Sequence, residues 1–147
     1  MHDRSTPLTF THTLSPRFRD LDPYNHVNNA VYFTYLEEAR IAFITQLGLR
    51  GLFTRQQSTV IARAELDYRA PAFLGDVLDI TVTVGEVRNS SYELLYRITR
   101  RQDSALIATG KTVQVCFNFE LNAPTRLPES WRAILRGEIP APAQHAP

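Results

Sequence analysis

The chain has 147 residues, of which 44% are hydrophobic and 21% charged, and its 16 basic residues nearly cancel 15 acidic ones, leaving a net charge of +1. Those values describe one globular domain and exclude a disordered chain, a collagen-like repeat and a strongly basic nucleic-acid binder. No window approaches the roughly 18 apolar residues of a membrane span, residues 1–11 hold no apolar leader core, and the single cysteine, Cys116, has no partner for an intrachain disulfide, so the expected compartment is the cytoplasm.

Leu8 to Phe18, with Thr9, Phe10, Thr11, Thr13 and Leu14, predicts a strand that stops near Pro16. Arg19 to Asn29 is polar, carries Pro23 and predicts a loop. From about Val27 to Leu47 the apolar residues follow a helical period on two faces. Ala30, Phe33, Leu36, Phe43 and Leu47 mark one, and Val31, Tyr35, Ala39 and Ala42 the other. A helix apolar on both sides is expected to be wrapped by other structure. Asn25 or Asn28 suits its cap and Gly48 its stop. At ~1.5 Å per residue it is about 30 Å long, enough to span a small domain.

After Arg50 to Gln57 the period changes to two. Val60–Tyr68, Leu78–Val84, Tyr92–Thr99 and Ile107–Phe119 each alternate as strands, joined by a longer link through Pro71 and Gly75 and by short turns at Arg88–Ser91 and Arg101–Ser104. The pattern predicts an α+β domain over residues 1–136: an antiparallel sheet curled around one long helix. The Pro-rich stretch 137–147 is expected to be a frayed tail. The outer face and the long, two-sided final strand call for cover, and a second copy of the chain is the simplest cover, so a homodimer is expected.

One segment has the composition of a site. Asp20-Leu21-Asp22-Pro23-Tyr24-Asn25-His26-Val27-Asn28-Asn29 packs two carboxylates, one imidazole and three carboxamides just ahead of the helix. The first turn of a helix offers unpaired N–H groups and the positive end of the dipole, which polarise a carbonyl and stabilise negative charge developing on it. A carboxylate held beside it can attack the carbonyl carbon or direct water at it. The combination suits acyl transfer.

These residues, continued by Tyr32, Tyr35, Leu36, Glu37, Glu38, Ala39 and Arg40 and by Leu66-Asp67-Tyr68-Arg69-Ala70-Pro71-Ala72 with Gly75-Asp76, resemble the 4-hydroxybenzoyl-CoA thioesterase family of hotdog-fold acyl-CoA thioesterases. The His-Val-Asn-Asn form is similar to the long-chain acyl-CoA and plant acyl-ACP branches, and the likeness covers most of residues 8–120. It implies a five- or six-stranded antiparallel sheet around a central helix, dimers or tetramers with sites at the subunit interface, and an acyl-CoA substrate whose coenzyme A is the only cofactor-like group. It further implies Asp22 as the catalytic carboxylate, a backbone N–H near Asn29 as the oxyanion donor, and a catalytic or orienting role for His26. Where the acyl-ACP branch has an Asn two residues after its Asp, this chain has Tyr24. Another branch takes its carboxylate from the central helix, which makes Glu37 and Glu38 second choices.

Each assignment stands beside a plainer one. Asp22 before Pro23 is also a turn-former, Asp20 a structural acid for loop N–H groups or Arg17, and His26 a histidine bonded to backbone. Asn28 and Asn29 are also caps. Tyr24, Asn28, Tyr32, Ser58 and Thr59 are expected to contact substrate, while Tyr32, Phe33, Tyr35 and Phe43 equally suit packing. Arg63, Arg69, Arg88, Arg97, Arg100 and Arg101 are candidates for coenzyme A phosphates and, individually, ordinary surface residues. Cys116 reads as a small core residue. His2, His12 and His145 make no ligand spacing with His26, so no metal is expected. The expected activity is thioester hydrolysis. The alternatives are enoyl-CoA hydration, which needs an Asp–His spacing that gaps of four and six residues do not match, and a non-catalytic acyl-CoA-binding module.

Overall fold

The computed structural model describes residues 7–140. In chain order these form β1 (Thr9–Leu14), α1 (Val31–Gln46), β2 (Ser58–Tyr68), β3 (Leu78–Val87), β4 (Ser91–Arg100), β5 (Leu106–Asn118), β6 (Ala123–Pro124) and α2 (Glu129–Leu135), with 3-10 turns at Phe18–Asp20 and Arg50–Leu52. The strands make one antiparallel sheet in the order β1-β3-β4-β5-β2, and the short β6 pairs with β5. The sheet curls around α1. The expected α+β architecture is present.

The strand alternation places Leu78, Ile80, Val82 and Val84 of β3 and Tyr92, Leu94, Tyr96 and Ile98 of β4 on the buried inner face. They pack under Tyr32, Tyr35, Leu36, Ala39, Phe43 and Ile44 of α1. That stripe repeats at three and four residues, as one face of a helix must. The opposite face is open: Phe33 and Ile41 are 41% and 40% exposed. Within one chain α1 therefore rests on the sheet along one stripe and is not enclosed on both faces.

The helix also starts later than its apolar period suggests. Val27 is held in a bridge to Leu21, and its N–H donates to Ala72 O at 2.9 Å, which draws residues 27–30 into the loop. Neither Asn25 nor Asn28 is the cap: the cap position is Ala30, with no side-chain cap bond, and Asn28 closes the turn ahead of it, its Oδ1 accepting from Ala30 N–H at 2.9 Å and its carbonyl from Val31 N–H at 2.9 Å. Gly48 ends the helix at φ +74°, a left-handed conformation that glycine adopts without strain.

On β5 the polar and small set faces inward. Ala108, Thr112, Gln114 and Cys116 are buried, whereas Val113, Val115 and Phe117 sit half-buried on the outer face. A chain of hydrogen bonds makes this tolerable. Arg40 of α1 donates to the Tyr96 hydroxyl at 3.3 Å, Tyr96 meets Thr112 Oγ1 at 2.7 Å, Thr112 donates to Gln114 Oε1, and Gln114 Nε2 donates to Tyr92 O at 3.1 Å. Buried polar groups are stable when each finds a partner. Gly110 lies between them at a close approach: a Cβ there would stand 2.9 Å from the Glu65 carbonyl oxygen and 3.3 Å from Leu36 Cδ1.

The long final strand β5 is not an edge, because β4 and β2 flank it. The open edges are β1 and the 11-residue β2, which carries a bulge between Ile61 and Arg63. The first strand ends at Leu14, two residues before Pro16. Helix α2 was not foreseen. Its Trp131 packs on Phe53 (ring centroids 5.2 Å), and Arg132 reaches Asn89 O at 3.1 Å, so it closes the β3–β4 turn. Gly137 (φ +69°) and Glu138 return N–H groups to Ile134 O and Ala133 O and finish α2, so the tail stretch begins after its cap. Residues 141–147, His2 and His145 lie outside the described residues. Among the described residues no helix is long and apolar enough to cross a membrane.

Candidate active site

The loop before α1 is built on Asp22. Its backbone N–H donates to His26 O at 2.7 Å, and its carbonyl accepts from Asn25 N–H at 3.0 Å. Asn25 takes φ +63°, a left-handed conformation for which asparagine is suited. The Asp22 side chain completes the turn: Oδ1 accepts from Tyr24 N–H at 2.9 Å and from His26 N–H at 3.1 Å. The turn-forming reading of Asp22 is thus correct for one oxygen. The other, Oδ2, takes no hydrogen bond from the described residues.

A second acid anchors the loop from below. Asp20 is buried, and its Oδ2 accepts from the Tyr35 hydroxyl at 2.7 Å and from Arg17 N–H at 2.9 Å. Burial, and then the neighbouring Asp20 carboxylate, push the Tyr35 hydroxyl far above the ordinary phenol range. Tyr35 therefore stays a donor at every working pH.

The loop, the start of α1 and the end of β2 enclose a cleft of about 270 Å³ lined by Asp22, His26, Val27, Asn29, Tyr32, Tyr68, Arg69, Ala70 and Pro71. Around Asn29 nearly every polar group is taken. Asn28 N–H donates to Asp20 O at 2.8 Å, and the Tyr68 hydroxyl donates to Asn29 O at 2.7 Å. The Asn29 N–H has no acceptor among the described residues. Because the trans Asn28–Asn29 peptide directs its carbonyl into the helix toward Val31, its N–H points the opposite way, back toward the loop. The cleft thus joins a carboxylate with a free oxygen to a free amide at the positive end of a 16-residue helix.

His26 lines the same cleft with its ring set edge-on against Phe73 (centroids 5.1 Å, 85°), and what it gives Asp22 is its backbone N–H rather than its imidazole. Tyr32 lines the cleft too, its hydroxyl accepting from Ala72 N–H at 3.2 Å. The remaining expected contacts are placed elsewhere in this chain. Tyr24 is 80% exposed and does not line the cleft. Asn28 closes the turn ahead of α1. Ser58 borders a separate, open cleft of about 590 Å³ with Phe53, Thr54, Arg55 and Phe119. Thr59 sits on β2 opposite Cys116 of β5 and does not line the cleft. Glu38 pairs with His12 at 2.9 Å and Glu37 lies near Arg40 at 3.9 Å, so neither helix acid reaches the cleft. Of the six arginines, Arg63, Arg88, Arg100 and Arg101 are engaged with Glu65, Glu86, Asp76 and Asp79. Arg69 borders the cleft. No cluster of three or more potential metal-ligating side chains occurs among the described residues.

The family model for the thioesterase-like superfamily matches residues 16–135. The chain is 30% identical over 117 residues to the 1,4-dihydroxy-2-naphthoyl-CoA hydrolase of Synechococcus elongatus, covering 77% of this chain and 85% of that protein. It is 31% identical over 101 residues to the long-chain acyl-CoA thioesterase FadM of Escherichia coli, covering 68% and 76%. Its fold superposes on a 1,4-dihydroxy-2-naphthoyl-CoA thioesterase from Synechocystis with a TM-score of 0.78 at 21% identity, over 86% of this chain and 95% of that one. The chain belongs to the thioesterase-like superfamily and has the hotdog fold.

Proposed function

We propose that this protein is an acyl-CoA thioesterase that hydrolyses the thioester of an acyl-CoA to the free acid and coenzyme A. The observation that carries the reading is one cleft lined by both Asp22, whose Oδ2 is unengaged, and Asn29, whose N–H is unengaged among the described residues. The thioester oxygen lies on the Asn29 N–H, and Asp22 acts on the carbonyl carbon, either as base on a water or as the attacking group. In the first route water adds to the carbon, its proton passes to Asp22, and the negative charge collects on the oxygen held by Asn29. Collapse breaks the C–S bond and expels the thiolate, a good leaving group that needs no strong acid. The second route replaces water by the carboxylate and passes through an anhydride that water opens. Neither route calls for a metal or redox group. Arg69 at the rim is placed for the anionic part of the substrate. Both relatives named above bear names of acyl-CoA hydrolases, which supports this chemistry.

The working unit is read as a homodimer joined along β2, or a tetramer of such pairs. This edge is unpaired over 11 residues and exposes Ile61, Ala62 and Ala64. On its outer face Arg63 stands next to Glu65. An antiparallel second copy centred on Ala64 sets Arg63 opposite Glu65 in both directions, whereas centring on Arg63 or Glu65 sets like charges opposite one another. Ala62 is the extra residue of the bulge, so matching inner with inner faces then brings Thr59 of the second copy opposite Tyr68, and Ser58 opposite Arg69. The two clefts adjoin across the pair, which returns Ser58 and Thr59 to the site.

The test is thiol release from a panel of CoA esters by the wild-type chain and by Asp22→Asn. The variant is expected to lose at least ~100-fold in kcat, the lower range for a positioned base. Near-normal turnover by it would overturn the assignment.

A further inference from the structure

We propose that Tyr68 is a positioning residue for thioester hydrolysis: its hydroxyl fixes Asn29 so that the Asn29 N–H meets the developing oxyanion. This rests on the reading of the cleft given above and adds to it a residue on a different element.

Two peptide planes flank Asn29. The first, Asn28–Asn29, is held at its carbonyl by Val31 N–H at 2.9 Å. The second, Asn29–Ala30, is held at its N–H by Asn28 Oδ1 at 2.9 Å and at its carbonyl by the Tyr68 hydroxyl at 2.7 Å. Three of these four polar groups are thus tied, and the one left is the N–H of Asn29, a residue that lines the cleft. Two of the ties come from within the turn and move with it. Of the three ties, the Tyr68 bond is the one that comes from the sheet.

Packing alone does not account for this side chain. Tyr68 is 45% exposed at the last residue of the open strand β2, and its ring meets Tyr32 edge-on at 5.3 Å. A phenylalanine would keep that ring contact. What it would lose is a hydrogen bond spanning 39 residues of sequence to the carbonyl beside the donor amide. A preorganised donor acts through its position, and small displacements of a reacting group lower rates steeply. Held from the sheet, the amide does not have to be ordered again at each turnover.

The experiment compares wild type with Tyr68→Phe in three readouts: kcat and KM for a CoA ester that the wild type cleaves, thermal melting, and the infrared carbonyl band of a bound non-hydrolysable ketone analogue in which a methylene replaces the thioester sulfur. The expected result is a fall of about tenfold or more in kcat, KM within about threefold, a melting temperature close to wild type, and a carbonyl band returned part-way toward its position in water. Turnover within twofold and an unmoved band would overturn the proposal. So would a parallel loss of melting temperature and activity with an unmoved band, which would make Tyr68 a structural strut. Asp22→Asn, measured alongside, separates the two ideas: near-normal turnover there removes Asp22 from the chemistry, while the band of the Tyr68→Phe complex still decides the role of Tyr68.

Discussion

The Tyr35 hydroxyl, on the second turn of α1, donates to Asp20 Oδ2 at 2.7 Å and so ties the buried face of the helix to the loop that carries Asp22. That oxygen also accepts from Arg17 N–H at 2.9 Å. Tyr35→Phe leaves a buried carboxylate short of a donor. It is expected to lose about 1.5–3 kcal/mol of stability, the range for hydrogen bonds to charged groups. Urea unfolding of the two proteins checks this, and a loss under 0.5 kcal/mol on the same principle would show that water replaces the hydroxyl.

Alkaline stability follows from four buried phenols. Burial raises the hydroxyl pKa of Tyr32, Tyr35, Tyr92 and Tyr96 above the ordinary value of 10.0. Below pH 10 the folded and unfolded chains both hold these protons, and the stability is fully present. Above it the unfolded chain sheds protons first, so stability falls as pH rises, by up to ~1.4 kcal/mol per pH unit for each such tyrosine. Melting curves between pH 9 and 11.5 are expected to show the decline, and Tyr35→Phe to show a shallower one.

Asp22 holds the turn and, in the proposed mechanism, acts on the thioester, and substitution can separate the two. An asparagine keeps an oxygen for the N–H groups of Tyr24 and His26, so Asp22→Asn should melt near wild type while turnover collapses. Asp22→Ala abandons both bonds and should lose about 1–2 kcal/mol of stability as well. Equal stability of the two variants would mean that the turn does not depend on this side chain.

The β2 pairing makes a geometric forecast. Centred on Ala64, a single Ala64→Cys substitution brings two thiols face to face, close enough for a disulfide. Oxidation should convert that variant to a covalent dimer on non-reducing gels. Arg63→Cys or Glu65→Cys alone should cross-link poorly, and mixing those two variants should restore cross-linking. Efficient linkage of Arg63→Cys by itself would move the centre of the pair and break the charge argument.

Cys116 should not disturb such experiments. It is fully buried, and burial raises its thiol pKa. Native protein is expected to show no reaction with Ellman's reagent over an assay, and denatured protein one thiol per chain, the single cysteine of the sequence.

The alternation of β2 through β5 and the site loop were legible because each depends on near neighbours: period two, a proline, an Asp-Pro turn. The start of α1 was not, because Val27 and Asn28 are claimed by Ala72 O and Asp20 O, contacts that no local pattern announces. The inner face of β5 was misleading for the same reason. Val113 and Val115 look like core, but the partners that satisfy Thr112 and Gln114 are Tyr96 and the Tyr92 carbonyl of β4. For α2 the sequence does hold a local signal: Pro128 ahead of Glu129, then Trp131, Ile134 and Leu135 at helical spacing. Tyr68 was visible as part of a resemblance, yet its bond to Asn29 joins two segments 39 residues apart and needs the fold to be seen.

The relay of donors from Arg40 through Tyr96 and Thr112 to Gln114 has a mechanical side. Apolar packing alone would let a rod slide or roll a little on its bed at small cost. A guanidinium keyed to one hydroxyl acts as an indexing pin: rotation by one residue or slippage by one turn breaks the Arg40–Tyr96 bond, the one link of the relay that leaves the sheet. The front end of the rod, beside the candidate cleft, thereby inherits a fixed address from a lock set near its middle.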